Sequence, residues 1–360
     1  MNGILPLRTL ELSGPPRELG LKHGQALAAE IRGLRRALLT YLARISLFSG
    51  ALPLYALMVF LGKRFWPNIP IRFQEEIKGV AAGAQVCLGA ILLINVLDDL
   101  GNNSPRCSSL AAGGNYTADG FYLLGRNLDY PLFTDVMIGL QTLFILEPAQ
   151  GLPFVSIAWP GYVGVCTGMN RAGVALAQLT AMSRDRSLNG VPAALRFRQS
   201  LEGGADVPTA ASLILDAPGT IGNNLMLCSS QDAVCLEVSA RKGAIRHPER
   251  GLLLATNHYQ SGSMASLKGR FPPRPPFSTL TSYHFTEAYS RARLARLQEL
   301  SAGCRLGQEK IREILADPHI ANPGTVVSAV FAPGEKKVWL ARGAEPPVNR
   351  GPFQEIKLWD

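Results

Sequence analysis

Residues 104–130 gather the side chains best able to do covalent chemistry. The stretch opens Ser-Pro-Arg-Cys-Ser-Ser-Leu, with Cys107 in a run of small residues. It closes Leu-Gly-Arg-Asn-Leu-Asp-Tyr, so that Arg126 and Asp129 follow an apolar run beginning near Phe121. A thiol is a strong nucleophile only when a base takes its proton or a neighbouring charge lowers its pKa. A guanidinium close to Cys107 would favour the thiolate. His258, next to Asn257, permits a papain-like Cys/His pair, although no papain-type sequence surrounds Cys107. The five histidines form no His-Glu-x-x-His and no paired spacing with cysteine, which predicts neither a structural zinc nor another metal site.

The elements that must position these residues are legible from periodicity. Apolar residues recur at helical spacing over 17–44 and 69–97. From Cys107 onward the pattern turns to strands: 107–113, 121–130, 137–148, 153–160, 164–170 and 173–182, separated by Gly- and Asn-containing turns. A helical pair is predicted near 192–201 and 207–216, followed by strands at 223–230, 233–240 and 251–259. The proline-rich stretch 271–278 reads as a stiff extended loop. Residues 285–317 read as a basic helix, and 325–333 with 336–343 as a closing hairpin. The sum is an α+β chain with packed antiparallel sheets behind a helical leader.

Composition fits one large domain or two smaller ones. Of 360 residues 47% are hydrophobic and 18% charged, enough to bury a sizeable core. The formal charge of +9 suits acidic partners, but no basic cluster exceeds three residues and no nucleic-acid-binding signature appears. Of the six cysteines, Cys107 is set apart as the nucleophile, and Cys87, Cys166, Cys228, Cys235 and Cys304 read as small buried hydrophobes without a disulfide framework. The N-terminus shows no signal-peptide pattern, making the cytoplasm the default expectation. The apolar run 45–61 is at the lower limit for a bilayer span; a buried helix is the first reading, with membrane-surface or substrate contact as the alternative.

Cys-Ser-Ser-Leu, Thr117-x-Asp119-Gly120 and Leu-x-Gly-Arg126-Asn127-x-Asp129-Tyr together resemble the nucleophile hairpin of N-terminal-nucleophile (Ntn) hydrolases of the choloylglycine hydrolase and penicillin V acylase kind. The closer resemblance is to the acyl-coenzyme A:isopenicillin-N (6-aminopenicillanic acid) acyltransferase family. It adds a helical leader with Leu19-Gly-x-x-His23-Gly24 and a Glu76-x-x-Gly79-x-x-x-Gly83 stretch. Acid ceramidase is more distantly similar. The resemblance implies a four-layer αββα sandwich and self-cleavage at Arg106–Cys107, giving a leader of residues 1–106 and a catalytic portion of 107–360. Cys107 would attack its own preceding carbonyl and, once freed, use its α-amine, with a pKa near ~8, as its base. Relatives commonly carry Gly before the nucleophile; here it is Arg106, preceded by Pro105.

The same resemblance places Arg126 beside the thiol and Asp129 on the new amine. It makes Asn257 the oxyanion donor, Thr180 (ten residues beyond Asn170) a site residue and Arg293 the late site arginine. Asn127 is expected to brace the Asp129 turn, and Asn170 to serve as a turn residue. The implied enzyme hydrolyses or transfers acyl groups of linear amides or thioesters, fatty-acyl or acyl-coenzyme A among them, with no cofactor. An uncleaved acyl- or lipid-binding relative is the non-enzymatic alternative.

Overall fold

The computed structural model describes residues 3–46, 50–101 and 106–359. Fourteen strands are assigned among them. In chain order they are β1 (Arg8–Gly14), β2 (Ser108–Ala112), β3 (Leu123–Asp129), β4 (Thr142–Pro148), β5 (Phe154–Ala158), β6 (Thr167–Asn170), β7 (Ala175–Thr180), β8 (Asn223–Cys228), β9 (Ala233–Val238), β10 (Gly243–Arg246), β11 (Leu252–Ala255), β12 (Thr325–Ala332), β13 (Lys337–Ala341) and β14 (Phe353–Lys357). The helices are α1 (Pro16–Ala26), α2 (Ala28–Ile45), α3 (Ala51–Gly62), α4 (Ile71–Ala84), α5 (Leu88–Gly101), α6 (Thr134–Gly139), α7 (Ala193–Gly203), α8 (Val207–Leu215), α9 (Gly262–Ala265), α10 (Glu287–Ser301) and α11 (Gln308–Ala316).

Two sheets stack face to face. One has the order β1-β4-β5-β6-β7-β8-β9-β10, the other β11-β2-β3-β12-β13-β14. Their central strands are buried on both faces because each sheet has a helical layer outside and its partner inside, while the edge strands β1, β10 and β14 are partly exposed. Along β12, Ala329 and Phe331 enter the core between the sheets, whereas Val330 and Ala332 join Leu297, Ile311 and Leu315 under α10 and α11. On the opposite side Ile31, Phe73, Ile77 and Ile91 cover Phe144, Phe154 and Leu236 of the larger sheet. These three cores make a four-layer αββα sandwich.

The leader glycines explain their own spacing. A Cβ at Gly20 would lie 2.0 Å from the Glu76 carbonyl oxygen, and one at Gly83 would lie 2.3 Å from that of Leu21. Gly24 and Gly79 are equally closed in by the facing backbone, so α1 and α4 meet at main-chain distance. His23 accepts from the Gly161 amide at 2.9 Å, and burial lowers its pKa to about 3, which keeps it neutral.

Several expectations are corrected. The first hundred residues are mostly helical, as expected, but they also hold β1, which pairs in parallel with β4 from Arg8↔Thr142 to Gly14↔Pro148, so the larger sheet is mixed and not antiparallel throughout. Residues 137–139 lie in α6, not in a strand; Phe133, at φ 56°, turns the chain into a short helix before β4 begins. The helix expected over 285–317 is two helices, broken near Gly303 at φ 68°, where the Leu306 amide bonds the Tyr116 carbonyl. Cys87 and Cys304 are exposed, while Cys166, Cys228 and Cys235 are buried. The run 45–61 spans the end of α2 and most of α3 and crosses residues outside those described; Tyr55 is buried, but Leu52, Leu57 and Phe60 are exposed. Among the described helices none is long and apolar enough to cross a membrane. Pro105 also lies outside the described residues.

Candidate active site

Strand alternation builds the site. Ser108 pairs with Asn127 and Ser109 with Arg126 across β2 and β3. Cys107 and Ala111 therefore share a face with Leu124, Arg126 and Leu128, directed into the core between the sheets. Arg126 Nη2 lies 3.3 Å from Cys107 Sγ. Four oxygens hold that guanidinium: the Gln178 carbonyl at 3.0 Å, the Cys166 carbonyl at 3.2 Å, the Asn127 carbonyl at 3.5 Å and Thr167 Oγ1. Among the described residues no carboxylate forms an ion pair with Arg126, so its nearest electron-rich partner besides these oxygens is the thiol. Burial raises the Cys107 pKa above the ordinary thiol range, with Arg126 acting in the opposite direction.

The peptide bond before Cys107 is equally well held. The Arg106 amide donates to the Asp129 carbonyl at 2.8 Å. The Arg106 carbonyl accepts from Arg293 Nη1 at 3.0 Å, which also reaches the Cys107 carbonyl at 2.5 Å and Ser108 Oγ at 2.8 Å. The Arg106 side chain is fully buried. Its Nε donates to the His284 carbonyl at 2.7 Å, and its guanidinium carbon lies 4.5 Å from the Phe285 ring centroid and 5.3 Å from that of Phe271. Burial and the Arg293 charge lower its pKa to about 9, still a cation at neutral pH.

Asn257 joins two predicted residues. Its Nδ2 donates to the Thr180 carbonyl at 2.8 Å, and its Oδ1 accepts from Arg293 Nη2 at 2.7 Å. The amide is thereby oriented from both ends. Thr180 contributes through its backbone oxygen, while its hydroxyl accepts from Gln178 Nε2 at 3.0 Å. Thr286 caps α10 by accepting from the Tyr289 amide, which fixes the helix that carries Arg293 inward. Asp129 accepts from Asn322 Nδ2 at 2.6 Å and from Thr325 Oγ1 at 2.7 Å. Burial raises its pKa to about 6, with Arg293 opposing.

All six predicted site residues thus lie within one bonded constellation at the end of β2 and β3. Asn127 does not brace the Asp129 turn: it faces the other side of β3 and donates to the Leu315 carbonyl of α11 at 2.8 Å. Asn170 ties its turn to α7 through the Leu201 and Gly204 carbonyls. His258 Nδ1 sits 2.8 Å from Ser290 Oγ and 3.2 Å from Thr256 Oγ1, and burial lowers its pKa to about 4. Among the described residues no hydrogen bond links it to Cys107. Sequence reasoning missed Gln178, Asn322 and Thr325, each an ordinary polar residue in an apolar or turn context.

Beside the constellation lies an apolar cavity of about 120 Å³. Gln178 and Cys166, whose carbonyls hold Arg126, line it with Leu128, Tyr130, Trp159 and Asp98.

The chain is 25% identical over 267 residues to an uncharacterized protein of Archaeoglobus fulgidus, covering 66% of this chain and 44% of that one. It is 26% identical over 185 residues to human acid ceramidase, covering 46% and 43% respectively. The matched segment therefore spans less than half the length of either relative. A solved structure of the N-acylethanolamine-hydrolyzing acid amidase ortholog of Caenorhabditis elegans superposes with a TM-score of 0.46 at 16% identity, covering 63% of this chain and 93% of that one. The family model for acyl-coenzyme A:6-aminopenicillanic acid acyl-transferase matches residues 116–345. That span includes Arg126, Asp129, Thr180, Asn257 and Arg293 and begins just after Cys107. With most of its length matched, the chain belongs to the acyl-coenzyme A:6-aminopenicillanic acid acyl-transferase family.

Proposed function

We propose that the protein is a self-cleaving cysteine Ntn amidohydrolase or acyltransferase, acting on linear amides or acyl thioesters through an acyl thioester on Cys107. One observation carries this reading: the thiol and the carbonyl it would attack each have a dedicated cation. Arg126 meets Cys107 Sγ, and Arg293 meets the Arg106 oxygen. In self-cleavage, Cys107 Sγ bonds to the Arg106 carbonyl carbon and the C–N bond to Cys107 breaks. The nitrogen takes a proton and becomes the free α-amine. Water then hydrolyses the thioester, leaving an Arg106 carboxylate and the thiol. Residues 1–106 and 107–360 become two chains.

In the subsequent reaction the α-amine takes the thiol proton and Sγ adds to the substrate carbonyl. Asn257 Nδ2 is the side-chain donor for the resulting oxyanion, a role worth about 3 kcal/mol in other oxyanion holes. Arg293 and the Thr180 carbonyl hold that amide in direction, and Asp129 holds the α-amine. The leaving amine or thiol departs with the proton, and water or an amine accepts the acyl group. The apolar cavity supports an acyl chain longer than acetyl, and the name acid ceramidase borne by a relative points the same way. Exposed Leu52, Leu57 and Phe60 on α3 support contact with a membrane surface that carries such substrates.

Intact-mass spectrometry of the wild type beside Cys107→Ala tests the reading. The expected result is two fragments dividing between residues 106 and 107 in the wild type and one full-length mass in the variant. The cleaved protein should turn over fatty N-acyl amides faster than acetyl amides. A single full-length mass in both, with tight lipid binding and no thiol-dependent turnover, would select the acyl-binding alternative.

A further inference from the structure

Asp98 is an unusual lining residue for the cavity beside the candidate active site. It stands on α5 among Leu93, Leu97, Tyr130, Phe133 and Tyr162. Its neighbour Asp99 is fully engaged, accepting from the Ala193 amide at 3.0 Å and from Thr220 Oγ1. Among the described residues Asp98 instead accepts one long hydrogen bond, from the Tyr130 hydroxyl at 3.3 Å. Among the described residues lining the cavity none is basic. The other ionisable groups there, Tyr130, Tyr162 and Cys166, are all pushed upward by burial, Cys166 to about 12, and stay neutral. Burial, with the Asp99 charge, raises Asp98 to about 7.

Asp98 is half-buried, and a carboxylate set among apolar side chains favours a cationic partner. The chamber walls supply aromatic rings at Tyr130, Phe133, Trp159 and Tyr162, whose faces attract cations. Carboxylate and ring faces together favour an ammonium over a neutral tail. The volume, well below the roughly 300 Å³ at which drug-sized pockets begin, fits a chain segment better than a ring system.

We propose that this cavity is a subsite for an alkyl chain bearing a basic nitrogen, which pairs with Asp98. The subsite would select substrates whose apolar portion carries an ammonium group. Only the identification of that chain with the substrate's acyl portion rests on the proposed acyl-transfer reading; the binding itself does not.

Two measurements separate the claims. The first compares kcat/KM for coumarin amides of octanoic acid and of its ω-amino and ω-hydroxy counterparts, in wild type and Asp98→Asn. The expected result is about a tenfold or greater preference for the ω-amino amide over octanoyl, falling to near parity in the variant. A wild type that prefers the plain or hydroxy chain, or a preference that survives Asp98→Asn, overturns the inference. The second is calorimetric binding of octylamine and octanol to Cys107→Ala, with and without Asp98→Asn. Amine binding about tenfold tighter than alcohol, and lost with Asp98, is expected. Equal binding overturns the subsite. If amine binding depends on Asp98 while no thiol-dependent turnover is seen, the catalytic reading falls and the subsite stands.

Discussion

At Arg106 the main chain and the side chain are held by different parts of the fold. The amide and carbonyl belong to Asp129 and Arg293, and the guanidinium to His284, Phe271 and Phe285. Desolvated cation–π contacts are worth roughly 2 kcal/mol, enough to fix the torsions on the acyl side of the bond to Cys107. Arg106 is therefore an anchor, where a resemblance to Gly-bearing relatives suggests an obstacle. Arg106→Gly is expected to slow self-cleavage by about tenfold or more, and Arg106→Lys by less, in an intact-mass time course after cell-free synthesis. Cleavage of the Gly variant at the wild-type rate would show the anchor to be idle. Cys107, Arg126 and Asp129 were legible because they share one short stretch with a strand period. The partners of Asp129 were not: Asn322 and Thr325 are 193 and 196 residues away, and a long-range hydrogen bond leaves no local pattern.

At the scale of elements, a buried ion triad ties the helical layer together. Arg198 on α7 gives two hydrogen bonds to Glu76 on α4, at 2.8 and 2.7 Å, and one to Glu202 at 2.7 Å, and it donates to the Val163 carbonyl at 2.8 Å. All three side chains are buried. Arg198→Met leaves buried Glu76 without its hydrogen-bonded cation and Glu202 with Arg72 alone, 3.1 Å away, and is expected to cost about 3–5 kcal/mol in urea unfolding at neutral pH. Burial already raises Glu76, and removing Arg198 raises it further. The penalty is present above the unfolded carboxylate range near ~4.3 and shrinks as pH falls toward it. A loss independent of pH would point to packing instead of charge. The glycine spacing in α1 and α4 was visible in sequence, but its cause, backbone against backbone, needed the helix pair. The short strands β1, β10 and β14 went unread because four to seven partly exposed residues carry too little alternation.

For the whole molecule, α+β character and packed sheets followed from the order of periodic segments, while two central sheets between helical layers followed from the family resemblance. The mixed larger sheet did not, since a single edge strand contributed from far upstream alters it. That strand, β1, runs along β4 over seven residue pairs, while α1, α4 and α5 cover the same sheet. A break between residues 106 and 107 consequently severs a covalent bond without releasing a structural unit. On the proposed self-cleavage, its lasting effect would fall on molecularity: the intact precursor folds as one chain, but its cleaved product would be a heterodimer whose reassembly is a second-order encounter. The precursor Cys107→Ala should refold from urea at a rate independent of protein concentration. The cleaved protein should refold faster as concentration rises, or fail at high dilution, as read by tryptophan fluorescence across a dilution series. Folding would then be a capacity the protein uses once, before the cut, and cannot recover alone.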